Sequence, residues 1–382
     1  MVQKVRFVDP AKLYRMIKDE IDAAYFEVMN KGDLIDRGQL RQFEENLAAF
    51  VGTKYAVGLN SGYDALHISL RAAEIGPGDE VIVPAHTFVA SCSAVVNVGA
   101  KPVLVDVGKD FNIDCEKIEE VLKSAIRNPQ SSIRAIIPVH LSGYMADMVR
   151  VIEIANKYKL AVVEDACQSL GASMADDRTG ERKMAGAWGL TGCWSFYPFK
   201  ILGGYGDGGA ITTNDPDVAL FATRMRYNGE DRDTGEYHGH GFTCLLDNMQ
   251  AAFLDVKLRY LPQWIVRRKA MAEKYRAALS DLADLLLPHY DDPRRDHVYQ
   301  NYTVRARQGN DFSEFLKDNG VEILTQFRKP YYRHEALKLE DRGFPETEAL
   351  SREVCSLPMN VEIEDSEVDC VIQVVRSFYV SR

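Results

Sequence analysis

The sequence has no block of lysine and arginine residues, and its formal net charge is −10 at pH 7. A negative field repels polyanions, so the composition argues against nucleic acid and against an anionic membrane surface as partners. The sequence also has no apolar run of about 18 residues, the length that a membrane-spanning helix needs. An anionic substrate would therefore need a local group of cationic side chains.

The seven cysteines form no Cys-x-x-Cys pair and no spacing typical of a metal site. Their number is odd, and no secretory signal peptide is recognisable. These absences predict a reduced, soluble, cytoplasmic protein without a bound metal, in which most cysteines fill small apolar spaces. Internal repeats and low-complexity segments are absent as well.

Short apolar segments alternate with segments of helical periodicity through the first part of the chain. Strands are predicted at 55–59, 80–83, 102–106, 133–139 and 160–165, with helices between them. Near-continuous apolar strands separated by helices indicate an α/β fold with a mostly parallel sheet covered on both faces. Ligands of such sheets bind at the carboxyl ends of the strands.

This alternation ends after Ile211. The elements predicted beyond it are helices at 217–226, 249–260, 264–279, 311–319 and 366–379, and a strand at 302–305. The change predicts two domains. The large one comprises residues 1–255, and a smaller α+β domain comprises residues 256–382.

Lys200 stands between an apolar, aromatic segment at 193–199 and a loop with five glycines between residues 203 and 209. Apolar neighbours disfavour the charged ammonium form of a lysine. A neutral lysine amine attacks carbonyl groups, including the aldehyde of pyridoxal phosphate (PLP). The glycines allow the backbone to approach a group bound to that lysine. The alternative interpretation is a surface lysine beside a flexible loop.

Three further features suit a phosphorylated pyridine ring. Asp165 ends a predicted strand, where a carboxylate can keep a ring nitrogen protonated, and Gln168 can bind the ring's phenolic oxygen. The turn 61–63 leads into a helix whose first amides can bind phosphate, and Ser195 can add its hydroxyl. Phe88 follows a strand end and can stack on a ring. Taken singly, Asp165 could cap a helix, the turn could bind nothing, and Phe88 could belong to the core.

Seven segments of the chain resemble, in order, blocks of the DegT/DnrJ/EryC1/StrS family of sugar aminotransferases. They are SGYDAL, VPAHTFVAS, IPVHLSGYMADM, VVEDACQSLGA, SFYPFKILGGYGDGGAI, LLDNMQAAFLDVKL and SLPMN. The resemblance implies an aspartate-aminotransferase-like fold of type I, with a mostly parallel seven-stranded sheet and a smaller C-terminal α+β domain. It also implies a homodimer with its active site at the subunit interface. The implied reaction uses PLP and moves an amino group from L-glutamate to a keto sugar, most often one linked to UDP, dTDP or GDP.

The resemblance assigns roles to the residues already singled out. Lys200 matches the lysine that forms the Schiff base with PLP, and Asp165 matches the partner of the pyridine nitrogen. Gln168 matches the residue at the phenolic oxygen, and Phe88 matches the ring-stacking aromatic. Family members that dehydrate sugars have histidine in place of the lysine, so Lys200 favours transamination.

The phosphate-site positions of the family correspond to Gly62, Tyr63 and Ser195, with Ser61 in the same turn. The family usually has threonine where this chain has Tyr63. Tyr63 is therefore expected to contact the phosphate through its backbone amide.

Two segments depart from the family pattern, and the first is 243–247. The family commonly has Asn-Ser-Arg-Leu-Asp there, and its asparagine reaches the phosphate in the partner subunit. This chain has Thr-Cys-Leu-Leu-Asp. Thr243 keeps a hydroxyl group that can bind the phosphate, whereas Leu245 cannot replace the bidentate anion contact of an arginine.

The second departure is the segment 326–334, which replaces a stretch with histidine and tyrosine. Arg328, Lys329 and Tyr331 are the candidate substrate-binding residues here, for a phosphate, a diphosphate or a carboxylate. The alternative is a solvated basic loop. Both departures leave a free keto-sugar acid of the 8-amino-octulosonate type open as the substrate. The sequence also leaves open a PLP-dependent sugar dehydratase and a regulatory protein that binds PLP without turnover.

Overall fold

The computed structural model describes residues 4–288 and 292–380. Its helices are α1 (Pro10–Met16), α2 (Lys18–Lys31), α3 (Gly38–Val51), α4 (Gly62–Ala72), α5 (Val89–Asn97), α6 (Cys115–Ala125), α7 (Met148–Tyr158), α8 (Pro216–Met225), α9 (Asn248–Leu279), α10 (Gly309–Asp318), α11 (Pro345–Glu353) and α12 (Asp365–Val380). Within the described ranges, none of these helices has the length and apolar character required to cross a bilayer.

The strands form one large sheet and two small ones. They are β1 (Tyr55–Leu59), β2 (Glu80–Pro84), β3 (Lys101–Val105), β4 (Ile133–Ile136), β5 (Ala161–Asp165), β6 (Ser173–Ala175), β7 (Arg182–Met184), β8 (Thr191–Ser195), β9 (Gly209–Thr213), β10 (Leu285–Leu286), β11 (Arg295–Asp296), β12 (Tyr302–Ala306) and β13 (Val354–Leu357). The small sheets have the orders β10-β12-β13 and β11-β6-β7.

The large sheet has seven strands in the order β1-β9-β8-β5-β4-β2-β3. β9 runs antiparallel to both of its neighbours, and the other neighbouring strands are parallel. The predicted seven-stranded, mostly parallel sheet is therefore confirmed. Helices α5, α6 and α7 lie in the connections between β2, β3, β4 and β5, as is usual for parallel strands, whereas β5 is joined to β8 through the short strands β6 and β7.

Both faces of this sheet are buried, because successive strand residues point to opposite sides. Val162 belongs to the apolar cluster that includes α3, α7 and the first half of α9, whereas Val163 belongs to the cluster that includes α4, α5 and α8. Trp194 and Cys193 divide in the same way between the two clusters. The run of apolar residues in each strand thus follows from burial on both faces.

The C-terminal part has its own apolar cluster, formed by residues between Met271 and Phe378 together with Val5. The prediction of two helices at 249–260 and 264–279 is wrong, because α9 is one helix with Pro262 inside it. A proline removes one helical hydrogen bond. The buried side chains of Leu261 and Trp264 on either side of it keep the helix packed across that position. The predicted domain boundary at 255/256 falls within α9.

Glu164 fixes the carboxyl end of β5 although its side chain is fully buried. Its Oε1 accepts hydrogen bonds from the amides of Trp188 and Gly189, both at 2.7 Å. Its Oε2 accepts from the amide of Gly186 at 2.9 Å and from His140 Nε2 at 3.0 Å. A buried carboxylate is stable only with such partners. The network therefore ties β5 to the segment that leads into β8.

Replacement of Glu164 by alanine should lower the free energy of unfolding by about 3 kcal/mol, because it leaves one buried and two partly buried amides without their acceptor. The matched control is Glu273→Ala, which removes a carboxylate that is 61% exposed and paired with Arg276. That change should cost less than about 1 kcal/mol. Urea unfolding measures both values, and equal losses in the two variants would contradict this role of Glu164.

Candidate active site

A cavity of about 670 Å³ lies at the carboxyl ends of the large sheet's strands. Its wall includes residues that follow β1, β2, β5 and β8, together with the segment 324–327. Eight of the nine predicted cofactor residues line it: Ser61, Gly62, Tyr63, Phe88, Asp165, Gln168, Ser195 and Lys200. The ninth, Thr243, lies elsewhere. The topology thus brings residues from distant parts of the chain to the edge where α/β sheets bind ligands.

Asp165 is the last residue of β5, and the residue is 7% exposed. Its Oδ2 accepts a hydrogen bond from Ser91 Oγ at 2.7 Å, and its Oδ1 accepts from the amide of Cys167 at 3.3 Å. These contacts fix the orientation of the carboxylate on the cavity wall. Ser91, on α5, was not predicted from the sequence as part of the site.

Gln168 is oriented by a backbone contact that the sequence did not reveal. Its Oε1 accepts a hydrogen bond from the amide of Ser142 at 2.8 Å. The amide oxygen is therefore engaged, and the NH₂ group is the part of the side chain that can donate to a ligand. Ser142 has a φ of 57°, and its Oγ lies 3.0 Å from Thr303 Oγ1 in β12.

The turn before α4 has the form of an anion site. Ser61 is the N-cap residue, and its Oγ accepts from the amide of Asp64 at 3.1 Å. The amides of Gly62 and Tyr63 belong to the first turn, where no preceding helical carbonyl is available as a partner. Ser195 lies beside them, since a Cβ on Gly62 would stand 2.8 Å from Ser195 Cβ. The first amides of α4 and the side chain of Ser195 therefore lie close together, as an anion site at a helix N-terminus requires.

The side chain of Tyr63 is engaged outside this turn. Its hydroxyl accepts from Asn97 Nδ2 and lies 3.5 Å from His67 Nδ1. These contacts are compatible with the expectation that Tyr63 contributes its backbone amide to the phosphate site.

Phe88 is the N-cap residue of α5, and 59% of its surface is exposed although it lines the cavity. It is therefore not a core residue. Lys200 is half-buried on the same wall. Cys167, also on the wall, stays a neutral thiol because burial raises its pKa well above the ordinary value. It does not compete with Lys200 as a charged nucleophile.

The predicted substrate residues do not meet at the cavity in this chain. Arg328 Nη2 donates to Ser313 Oγ at 2.7 Å, and Lys329 is exposed. The hydroxyl of Tyr331 is buried and donates to the carbonyl of Pro84 at 2.9 Å. Thr243 is exposed, and its Oγ1 donates to Asn228 Oδ1 at 3.0 Å. Their neighbours at 324–327 line the cavity instead.

The cavity residues fit PLP. The amides of α4 and Ser195 would hold its phosphate, Asp165 would bind its ring nitrogen, and Gln168 would donate to its phenolic oxygen. Phe88 would cover one face of the ring. Lys200 would bind its aldehyde.

Comparisons with known proteins identify the family of the chain. The profile of the DegT/DnrJ/EryC1/StrS aminotransferase family matches residues 15–376. The dTDP-3-amino-3,4,6-trideoxy-alpha-D-glucose transaminase of Streptomyces venezuelae is 37% identical over 378 residues, which are 98% of this chain and 96% of that protein. The pleiotropic regulatory protein of Geobacillus stearothermophilus is 35% identical over 380 residues, 98% of each chain.

The fold has close counterparts among solved structures. The crystal structure of S. venezuelae DesV in complex with a ketimine intermediate matches with a TM-score of 0.91 at 36% identity. The match covers 98% of each chain. The similarity thus includes both the large sheet and the C-terminal part.

Replacement of Gly209 by alanine should lower the affinity for PLP about tenfold or more, because the added Cβ displaces the phosphate turn. Gly209 pairs with Leu59 in the sheet, and its Cβ would stand 2.3 Å from the carbonyl carbon of Ser61. Absorbance titration of the apo-protein measures the dissociation constant. The control is Gly38→Ala, whose Cβ meets no atom within 4 Å. An unchanged affinity in Gly209→Ala would contradict the placement of the phosphate at this turn.

Proposed function

Because the chain belongs to the DegT/DnrJ/EryC1/StrS aminotransferase family, we propose that it transfers an amino group from L-glutamate to the keto group of a nucleotide-linked sugar. The comparisons confirm the expected family, the type I fold and the enzyme class, a PLP-dependent aminotransferase. The sugar substrate, the amino donor and the assembly are the parts that we propose.

Bound PLP would supply the electron sink that lets a proton leave the carbon carrying the amino group. Lys200, as a free amine, would take that proton as general base. It would then deliver the proton, as general acid, to the carbon that was the aldehyde carbon of the cofactor. Asp165 would hold a proton at the ring nitrogen, and its contacts with Ser91 and the amide of Cys167 would keep it in place. Gln168 would orient the ring through its free NH₂ group.

We base the proposal that the sugar ring is neutral on the charges of the cavity wall. Among the described residues, the charged side chains on this wall are Asp165, Lys200 and Asp207, so Lys200 is the one cation. Apolar residues supply much of the remaining wall: Leu66, Val139, Leu324 and Phe327. The wall that one chain supplies offers a sugar carboxylate no cation besides Lys200, and burial of an unpaired carboxylate costs free energy. The carboxylates of glutamate would need cations from outside this wall. The diphosphate of a nucleotide-linked sugar can instead lie at the mouth of the cavity.

This observation disfavours the free keto-sugar acid. Such a substrate needs a cationic pocket, and Arg328 is bonded to Ser313 rather than turned to the cavity. The S. venezuelae relative is named for a sugar linked to dTDP rather than for a free acid. A nucleotide-linked keto-deoxysugar is therefore the substrate class that we propose.

Exposed apolar side chains support a homodimer with the cavity near its interface. Tyr197 and Phe199 flank the lysine loop and are each 48% exposed, and Phe26 and Met29 on α2 are 57% and 48% exposed. Large apolar side chains at neighbouring surface positions are typical of subunit contacts. Thr243, exposed in this chain, would then reach the phosphate of the partner's site.

The test starts from the wild-type enzyme converted by glutamate to its amino form. We expect dTDP- or UDP-linked keto-deoxysugars to restore the absorption of the aldehyde form and to yield an amino sugar detected by mass spectrometry. The control substrate is a free keto-octulosonate, which should react at least tenfold more slowly. A preference for the free acid would contradict the substrate class, and no response to glutamate would favour a regulatory protein.

A further inference from the structure

One side chain of the C-terminal part binds the backbone on both sides of Lys200. Gln300 lies just before β12 and is 7% exposed. Its Oε1 accepts a hydrogen bond from the amide of Ile201 at 2.6 Å. Its Nε2 donates to the carbonyl oxygen of Phe199 at 3.0 Å. One buried amide group therefore bridges the two peptide units that flank the lysine.

These two peptide units decide where the lysine side chain points. The carbonyl of Phe199 belongs to the peptide plane before the Lys200 Cα, and the amide of Ile201 belongs to the plane after it. Because peptide planes are rigid, fixing both of them fixes φ and ψ of Lys200. The direction of its Cα–Cβ bond is then fixed as well.

The other side-chain contacts with this loop lie farther from the lysine. Gln250 Oε1 accepts from the amide of Tyr205 at 2.9 Å. Lys257 Nζ donates to the carbonyl of Gly203 at 2.7 Å. Both contacts hold the glycine part of the loop, whereas Gln300 acts at Lys200 itself.

Gln300 is itself held in place by a buried cation. Arg268, on α9 and 6% exposed, donates through Nη1 to the carbonyls of Tyr299 at 2.9 Å and of Gln300 at 3.3 Å. The backbone of Gln300 also lies against Gly143, where an added Cβ would stand 2.8 Å from the Gln300 nitrogen. These contacts hold the backbone of Gln300 in place, and its side-chain amide therefore extends from a fixed position.

We propose that Gln300 is a positioning residue for the proton transfer, because it sets the direction in which Lys200 presents its amine to the reacting carbon. The inference rests on the proposed function insofar as Lys200 is the proton-transferring lysine. It predicts that the loss of this bridge slows the glutamate half-reaction more than it weakens the binding of glutamate. Small displacements of a reacting group have such effects on rate.

The test compares Gln300→Met with Gln250→Met as the matched control, each of which removes a glutamine that binds the loop backbone. For Gln300→Met we expect the rate constant of the glutamate half-reaction to fall at least tenfold, with KM for glutamate within about twofold of wild type. The pH titration of the absorption of bound PLP should also move its midpoint by at least half a pH unit. Gln250→Met should lower Tm by about as much as Gln300→Met does. Its rate constant for the glutamate half-reaction and its pH midpoint should stay near the wild-type values.

Gln300→Glu serves as the second variant if Gln300→Met does not fold. It keeps an acceptor for the amide of Ile201 but places a carboxylate oxygen against the carbonyl of Phe199, so it should shift the same two readouts. Wild-type rates and titration in the folded Gln300 variants would overturn the proposal, and so would equal shifts in Gln250→Met. All readouts use glutamate and PLP. A failed keto-sugar screen would therefore overturn the substrate class without affecting this test.

Discussion

The buried carboxylate of Glu164 is the contact on which the candidate site most depends. It gathers three backbone amides and His140 at the end of β5, so this strand cannot shift relative to β8 without exposing unpaired polar groups. The next residue, Asp165, points to the opposite face because strand side chains alternate. The same strand end therefore carries a structural carboxylate on one side and a carboxylate of the cavity wall on the other.

The C-terminal part completes the site from the opposite direction. The segment 300–303 contacts the cavity wall at two places. Gln300 binds the backbone around Lys200. The hydroxyl of Thr303 lies 3.0 Å from that of Ser142, and the backbone amide of Ser142 orients Gln168. A lysine in a glycine-rich loop would have many orientations without such contacts. The small sheet and the segment before it thus help to position the loop that carries Lys200.

Much of the fold and the chemistry was predictable because the signals are local. Apolar strands buried on both faces, the turn before α4 and the lysine beside five glycines are all readable from short segments. The supporting residues were not, since Ser91 and Asp165 are 74 residues apart and Gln300 and Ile201 are 99 apart. The rule that a proline ends a helix was wrong at Pro262, where packing maintains α9. The cationic residues of 326–334 predicted a substrate contact, but the sequence did not show that Arg328 is bound by Ser313.

The central claim is that Lys200, at the edge of the sheet, is the residue that binds PLP. The most direct measurement is borohydride reduction of the PLP-loaded protein, followed by proteolysis and mass spectrometry of the labelled peptide. We expect one pyridoxyl group per chain, attached to Lys200. A label on another lysine, or stoichiometric PLP that leaves no lysine labelled, would contradict it.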